Sequence, residues 1–237
     1  MIKLVLFDLD GVLIDAKKLH YDALNLALGK TYSISEEEHT NVYDGRKTRE
    51  KLDMLTKQKG LPVELHDQIY EKKQNLTIRL ISDLKPIPEI VKLFKELEWQ
   101  GYKIGVCSNS IRRTVLTALA KTELMEYCSL TLSNEDVKNS KPHPEMYWKA
   151  MSMMGALPEE TLIVEDSPPG LLSAQRSRAN YVRVDNPYDV TCRKIFANLK
   201  GKQLKFSYFS VEVGKRSAGK EVDSSKPMVF FFSIFLR

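Results

Sequence analysis

Two carboxylates stand two residues apart near the start of the chain, in Phe7-Asp8-Leu9-Asp10-Gly11-Val12. One such group can attack an electrophile while its neighbour handles protons. The apolar run Ile2 to Leu6 just before them reads as a buried parallel strand, since a segment this rich in Ile, Leu and Val suits a sheet covered on both faces. Ligands of open α/β sheets bind beyond the carboxyl ends of the strands, which is where Asp8 and Asp10 fall. Strand-end aspartates also form turns and cap helices, so the pair alone does not decide between chemistry and structure.

Three later clusters shift that balance. Val106-Cys107-Ser108-Asn109-Ser110 follows a second apolar strand, Tyr102 to Val106. Lys141 lies in Ser140-Lys141-Pro142-His143-Pro144-Glu145, ahead of a helix. Glu165-Asp166-Ser167-Pro168-Pro169-Gly170 ends a third strand, Leu162 to Val164. Each has a plainer reading: Ser108 as the cap of a helix starting near Ile111, Lys141 as a solvated loop lysine, Glu165 and Asp166 as acids favoured at a helix N-terminus. Together, in this order and at strand ends, they make the structural reading the weaker one.

The four motifs resemble the haloacid dehalogenase-like (HAD) superfamily of aspartate-nucleophile phosphotransferases. The resemblance covers roughly residues 1 to 190 and is nearest the capped members related to β-phosphoglucomutase and small sugar-phosphate phosphatases. It implies a doubly wound parallel α/β sheet of HAD type, with Asp8 attacking phosphorus to give an aspartyl-phosphate. Asp10 would protonate the leaving oxygen and then deprotonate the incoming water or hydroxyl. Ser108, with Asn109 and neighbouring amides, would hold phosphoryl oxygens, and Lys141 would neutralise charge shared by nucleophile and phosphoryl group. Magnesium fits a site of Asp8, the Asp10 main-chain carbonyl and Asp166, with Glu165 as a further ligand or a supporting partner. Relatives that cleave carbon–halogen or carbon–phosphorus bonds lack an acid two residues after the nucleophile, so Asp10 points to C–O–P chemistry.

Placing these groups requires one sheet, yet about a hundred residues separate the first two motifs, too many for one βα connection. Apolar residues recur at helical spacing at Leu19, Ala23, Leu26 and Ala27, at Leu52 and Leu55, and at Leu65, Ile69, Leu76 and Leu80. Residues 15–82 therefore read as a helical cap inserted after the first strand, with residues 1–14 and 83–190 as the core. The core resumes near Pro86 to Pro88, prolines that suit a linker and a helix start. In the cap, Tyr43-Asp44-Gly45-Arg46-Lys47-Thr48-Arg49 resembles a substrate-specificity loop, with Gly45 for a tight turn and Arg46 or Arg49 for a second anionic group. Asp44 stands where the mutases carry lysine, which counts against mutase activity. His20 matches a cap-hinge histidine, for which contacts to the backbone are the plainer reading. Lys73 could likewise face the substrate, with a solvated helix lysine as the plainer reading, and Arg112-Arg113 reads as an exposed helix face.

The net charge of +5 is not spread evenly. Residues 191–237 carry ten Lys or Arg against three Asp or Glu, which leaves 26 against 28 for the rest. The basic balance belongs to this C-terminal extension and gives the catalytic part no reason to bind nucleic acid. Within it Leu204 to Val213 alternates like a strand, and Met228 to Leu236 is apolar but short for a membrane helix. Cys107, Cys128 and Cys192 show no paired or zinc-like spacing, and the first strand begins at once without a signal peptide. The expectation is a cytoplasmic, monomeric, magnesium-dependent phosphatase acting on a small phosphorylated metabolite, a sugar phosphate first. A phosphosugar mutase and a non-catalytic binding protein of the same fold are the alternatives.

Overall fold

The computed structural model describes residues 1–197. The expected strand Leu204 to Val213 and the apolar run Met228 to Leu236 lie outside them. The chain runs β1 (Leu4–Phe7), α1 (Lys17–Leu28), α2 (Glu36–Glu38), α3 (Thr48–Lys59), α4 (His66–Ile81), α5 (Pro88–Trp99), β2 (Lys103–Cys107) and α6 (Arg112–Lys121). It continues through β3 (Leu130–Leu132), α7 (Glu145–Met154), β4 (Thr161–Glu165), α8 (Pro168–Ser177), β5 (Asn180–Arg183) and α9 (Cys192–Ala197).

The strands form one parallel sheet in the order β3-β2-β1-β4-β5. β1 is central, and every one of its residues is buried. Side chains alternate across a strand, and the alternation here divides the core in two. Val5 and Phe7 pack with Ile90, Phe94 and Leu97 of α5 and with Val115 and Leu119 of α6. Leu4 and Leu6 pack on the other face with Met146, Tyr147 and Met151 of α7 and Ala174 of α8. Helices therefore cover both faces, as the continuous apolar character of β1 implies. Ile195 of α9 is fully buried in the first of these clusters.

The chain moves outward from β1 through β2 to β3, then recrosses to β4 and β5, so the strand order reverses beside β1. That reversal opens a crevice at the carboxyl ends, the usual ligand site of such sheets. The register makes the motifs converge there. Phe7 lies opposite both Val106 and Val164, so Asp8, Cys107 and Glu165 occupy the same level of the sheet.

Between β1 and α5 the chain gathers an apolar cluster of its own, with Leu24, Tyr43, Leu52, Leu55, Leu61 and Ile69 among its members. The buried stripe of α1 is Ala23, Leu24, Ala27 and Leu28, and Leu26 is 57% exposed, against the spacing read from the sequence. At 3.6 residues per turn Leu26 lies nearly opposite Leu24 and Leu28, so it cannot share their face. Among the described residues no helix is long and apolar enough to cross a membrane.

Candidate active site

The sheet ladder continues one residue past the strands and fixes the backbone of the site. Asp8 N donates to Val164 O at 3.0 Å, and Ser108 N donates to Leu132 O at 2.9 Å. Lys141 reaches in from the segment before α7 and is 4% exposed, so it is no solvated loop lysine. Its ammonium donates to Asp8 Oδ1 at 2.6 Å, Glu165 Oε1 at 2.6 Å and Cys107 O at 2.7 Å, one acceptor for each proton. Burial works against the charge, but Asp8 and Glu165 hold Lys141 firmly protonated, above the ordinary lysine value. Burial pushes Asp8 well up, with the Lys141 charge pulling it back.

Ser108 is buried and does not cap α6, whose N-cap is Ile111. Its hydroxyl instead accepts from Ser110 N at 3.0 Å, folding the β2 exit into a tight turn over the crevice. Asn109 ties this turn to its surroundings. Its Nδ2 donates to Gly45 O at 2.9 Å and Lys141 O at 3.1 Å, and its Oδ1 accepts from Lys141 N at 3.2 Å.

Glu165 and Asp166 differ in their partners. Glu165 is fully buried, with Oε1 held by Lys141 and the Tyr147 hydroxyl and Oε2 accepting from Asp166 N at 3.2 Å. The next helix passes so close that a Cβ at Gly170 would lie 2.0 Å from Glu165 Oε2. Asp166 Oδ1 is buried without a hydrogen-bond partner, and Oδ2 has only Lys17 Nζ at 2.8 Å, an ion pair out of hydrogen-bond alignment. Burial, together with the Glu165 charge, raises Asp166 to about 6. A buried carboxylate with one oxygen bare leaves room for a second cation beside Lys17. Oxygens of Asp8, Glu165 and Asp166 lie within 4.8 Å of one another, so the cluster can hold a divalent metal ion. All-oxygen donors suit a hard ion, and the free Asp166 oxygen fits one better than the engaged Glu165 does.

Asp10 points the other way. Its Oδ2 accepts from Ser110 Oγ at 2.7 Å, and its Oδ1 lies 2.9 Å from His20 Nε2. Burial opposes ionisation, yet the charge and hydrogen bond of His20, the Ser110 hydroxyl and the Lys73 charge bring Asp10 down to about 2. Burial lowers His20 against the pull of Asp10, with Lys73 adding to the fall. The geometry assigns Nε2–H as the donor to Asp10 and Nδ1 as the acceptor from Lys73 Nζ at 3.4 Å. His20 is thus satisfied by side chains on both nitrogens rather than by the backbone.

A cavity of about 210 Å³ opens above Asp8 and Asp10, between the sheet edge and the helices that follow β1. Gly45, Arg46 and Arg49 all line it. Gly45 has φ +71°, and a Cβ there would lie 2.9 Å from Ser167 Oγ, so only glycine lets this loop sit on the start of α8. Arg46 pairs with Glu50 and donates to Val42 O at 2.9 Å. Arg49 pairs with Asp67 and lies 4.3 Å over the Tyr70 ring. Both arginines are already engaged. Arg112 and Arg113 lie on the exposed face expected of them, with Arg112 paired to Asp136 at 2.7 Å.

Lys73 departs from its plainer reading and follows the substrate-facing one: it is 6% exposed and lines the cavity, as does Lys51, which sequence reasoning passed over. The buried stripe of α4 includes Ile69, Lys73, Thr77 and Ile81, four residues apart, so Lys73 faces inward with its neighbours. Burial and the Lys51 charge bring Lys73 down to about 7 from the ordinary 10.5. A lysine depressed on folding costs stability wherever the unfolded chain carries the charge. The cost is full below pH 7 and fades as the unfolded lysine deprotonates towards 10.5. Lys73→Met is therefore expected to melt above wild type at pH 6 to 7, by about 2–4 °C per kcal/mol relieved. The advantage should close as thermal melts are repeated up to pH 10.5. A variant that melts lower at pH 7 would contradict the assigned burial.

Sequence comparison places these geometries among known enzymes. A profile of the family described as haloacid dehalogenase-like hydrolase matches residues 5–184. The chain is 30% identical over 193 residues to pyrophosphatase PpaX of Bacillus mycoides (strain KBAB4), covering 77% of this chain and 83% of that protein. It is 27% identical over 177 residues to the phosphorylated carbohydrates phosphatase of Thermotoga maritima, covering 72% and 79%. Among solved structures, β-phosphoglucomutase from Clostridium difficile superposes with a TM-score of 0.73 at 22% identity, covering 83% and 96% of the two chains. CbbY from Rhodobacter sphaeroides, solved in complex with phosphate, gives 0.72 at 23% identity, covering 84% and 92%. Strand order, converging motifs and a profile spanning most of the chain agree: this protein belongs to the haloacid dehalogenase-like hydrolase family.

Proposed function

We propose that the protein is a magnesium-dependent phosphatase that hydrolyses a small phosphomonoester through an aspartyl-phosphate on Asp8, with residues 15–82 acting as a cap over the site. The observation that carries this reading is the setting of Asp8. It lies at the end of the central strand, beside a fixed lysine, facing a cavity and 4.8 Å or less from a carboxylate with one oxygen left bare. The phosphatase names of the two curated relatives support the same class, and sugar phosphates are the first candidates because one of those relatives acts on phosphorylated carbohydrates.

In this reading Asp8 attacks phosphorus in line with the leaving oxygen, while Lys141 holds the nucleophile's carboxylate in place and offsets phosphoryl charge. Ser108 and the turn that follows it hold the phosphoryl oxygens. Asp10 is ionised in the free enzyme, and the negative charge of an arriving ester raises its affinity for a proton, which it passes to the leaving oxygen. The same carboxylate then takes a proton from the water that opens the acyl-phosphate. Asp8, Asp166 and the Asp10 main-chain carbonyl would hold magnesium, with Glu165 supporting them; when bound, the ion neutralises charge on the transferring group.

Inorganic phosphate release from sugar phosphates, nucleotides and phosphoglycolate tests the reading. Release should appear with magnesium, disappear with EDTA and return when magnesium is restored in excess. Turnover that persists in EDTA would remove the metal from the proposal, and no release from any ester by folded protein would remove the phosphatase.

A further inference from the structure

Two buried lysines line the cavity without contacting Asp8 or Asp10. Lys51 on α3 and Lys73 on α4 are each 6% exposed, and both line the cavity over Asp8 and Asp10. Lysine is almost never buried so deeply unless paired. Lys73 has only the His20 ring nitrogen at 3.4 Å, and among the described residues the Lys51 ammonium makes no hydrogen bond or ion pair.

The acids nearby are already engaged. Asp10 is held by His20 and Ser110, Glu50 pairs with Arg46, and Asp44 accepts from Gly45 N at 3.0 Å and lies 3.7 Å from Lys17. Lys51 and Lys73 are thus left as a surplus of buried positive charge turned toward open space. Burial holds both below the ordinary lysine value, and the Lys51 charge adds to the fall of Lys73. An anion between them would relieve that repulsion and restore both charges.

We propose that Lys51 and Lys73 form a specificity site for a second anionic group on the leaving part of the substrate. This rests on the phosphatase reading and sharpens it: the preferred ester or anhydride carries a compact anion close to the scissile oxygen. Position sets the closeness, since Lys73 is separated from Asp10 by a single imidazole ring. A long or neutral leaving group would leave the two ammonium groups buried and unmatched. Lys51 carries more of the selection because its ammonium has no other partner, whereas Lys73 also braces His20.

The test compares kcat/KM for 2-phosphoglycolate and inorganic pyrophosphate with that for glycerol 3-phosphate, whose leaving group is neutral. Wild type should favour at least one anionic probe by about tenfold or more, the worth of one charge-assisted hydrogen bond. Which of the two it favours tells a carboxylate from a second phosphoryl group. Lys51→Met should erase that preference, chiefly through KM for the anionic probe, and Lys51→Arg should recover part of it. Equal rates on neutral and anionic probes in wild type, or losses in Lys51→Met that fall equally on all three, would overturn the site. If none of the three is hydrolysed, the phosphatase reading stands or falls on the full ester panel, and calorimetric binding of pyrophosphate decides the anion site by itself. Weaker binding to Lys51→Met than to wild type would uphold the anion site, and equal or undetectable binding to both would overturn it.

Discussion

Asp8→Asn will lower phosphate release by on the order of 10⁶, the scale of losing the nucleophile of a covalent mechanism. The substitution keeps size and shape, and the new amide oxygen can still accept from Lys141, so the fold has little reason to change. What disappears is the anionic oxygen that attacks. In the variant Lys141 keeps Glu165 as an anionic partner, so the melting temperature should fall less than in a variant that removes Lys141 itself. Single-turnover phosphate release on the folded variant checks the chemistry, and a thermal melt checks the fold. Activity within about a hundredfold of wild type would mean that Asp8 only positions the substrate and that another group attacks.

Removing Lys141 should instead be felt in stability. Lys141→Met leaves Asp8 and Glu165 buried with no cation between them, and breaking a buried ion pair from one side costs about 3–5 kcal/mol. In a chain of this size that is a fall of roughly 6–20 °C in melting temperature. Chemical denaturation at pH 7 measures it directly. Adding Glu165→Gln to Lys141→Met should return part of the loss, since it removes one of the two stranded charges, and the double-variant cycle isolates their coupling. A loss under about 1 kcal/mol would show the pair behaving as a solvated surface contact, against its burial.

Much of the core site could be read from the chain because its residues follow continuous apolar strands. A run such as that ending at Phe7 announces both a buried strand and the exit where polar groups must lie. Once the sheet forms, the register of Phe7 with Val106 and Val164 does the rest. β3 and β5 were harder to see: one is three residues long, and only Val182 of the other is buried. The side formed by α3 and α4 was less legible for a different reason. α3 and α4 turn polar side chains inward to line a cavity, so Lys51 and Lys73 look like solvent-facing residues to any rule that equates buried with apolar. The signal was available in spacing: Lys73 stands midway between Ile69 and Thr77, and Lys51 lies beside Leu52 and one turn from Leu55. Lys17 was missed because its partners, Asp44 and Asp166, are distant in sequence.

Asn109 joins parts of the chain that are far apart. Its side chain meets Gly45, 64 residues away, and Lys141, 32 residues away, while its carbonyl accepts from Asn134, 25 residues away. Each link closes a long loop, and the entropy of closure is lost before the contact returns anything. During folding the crevice is therefore a late product, assembled only after the sheet has brought three separate segments together. On heating, the order runs in reverse: the knot at Asn109 loosens while the strands beneath it still hold.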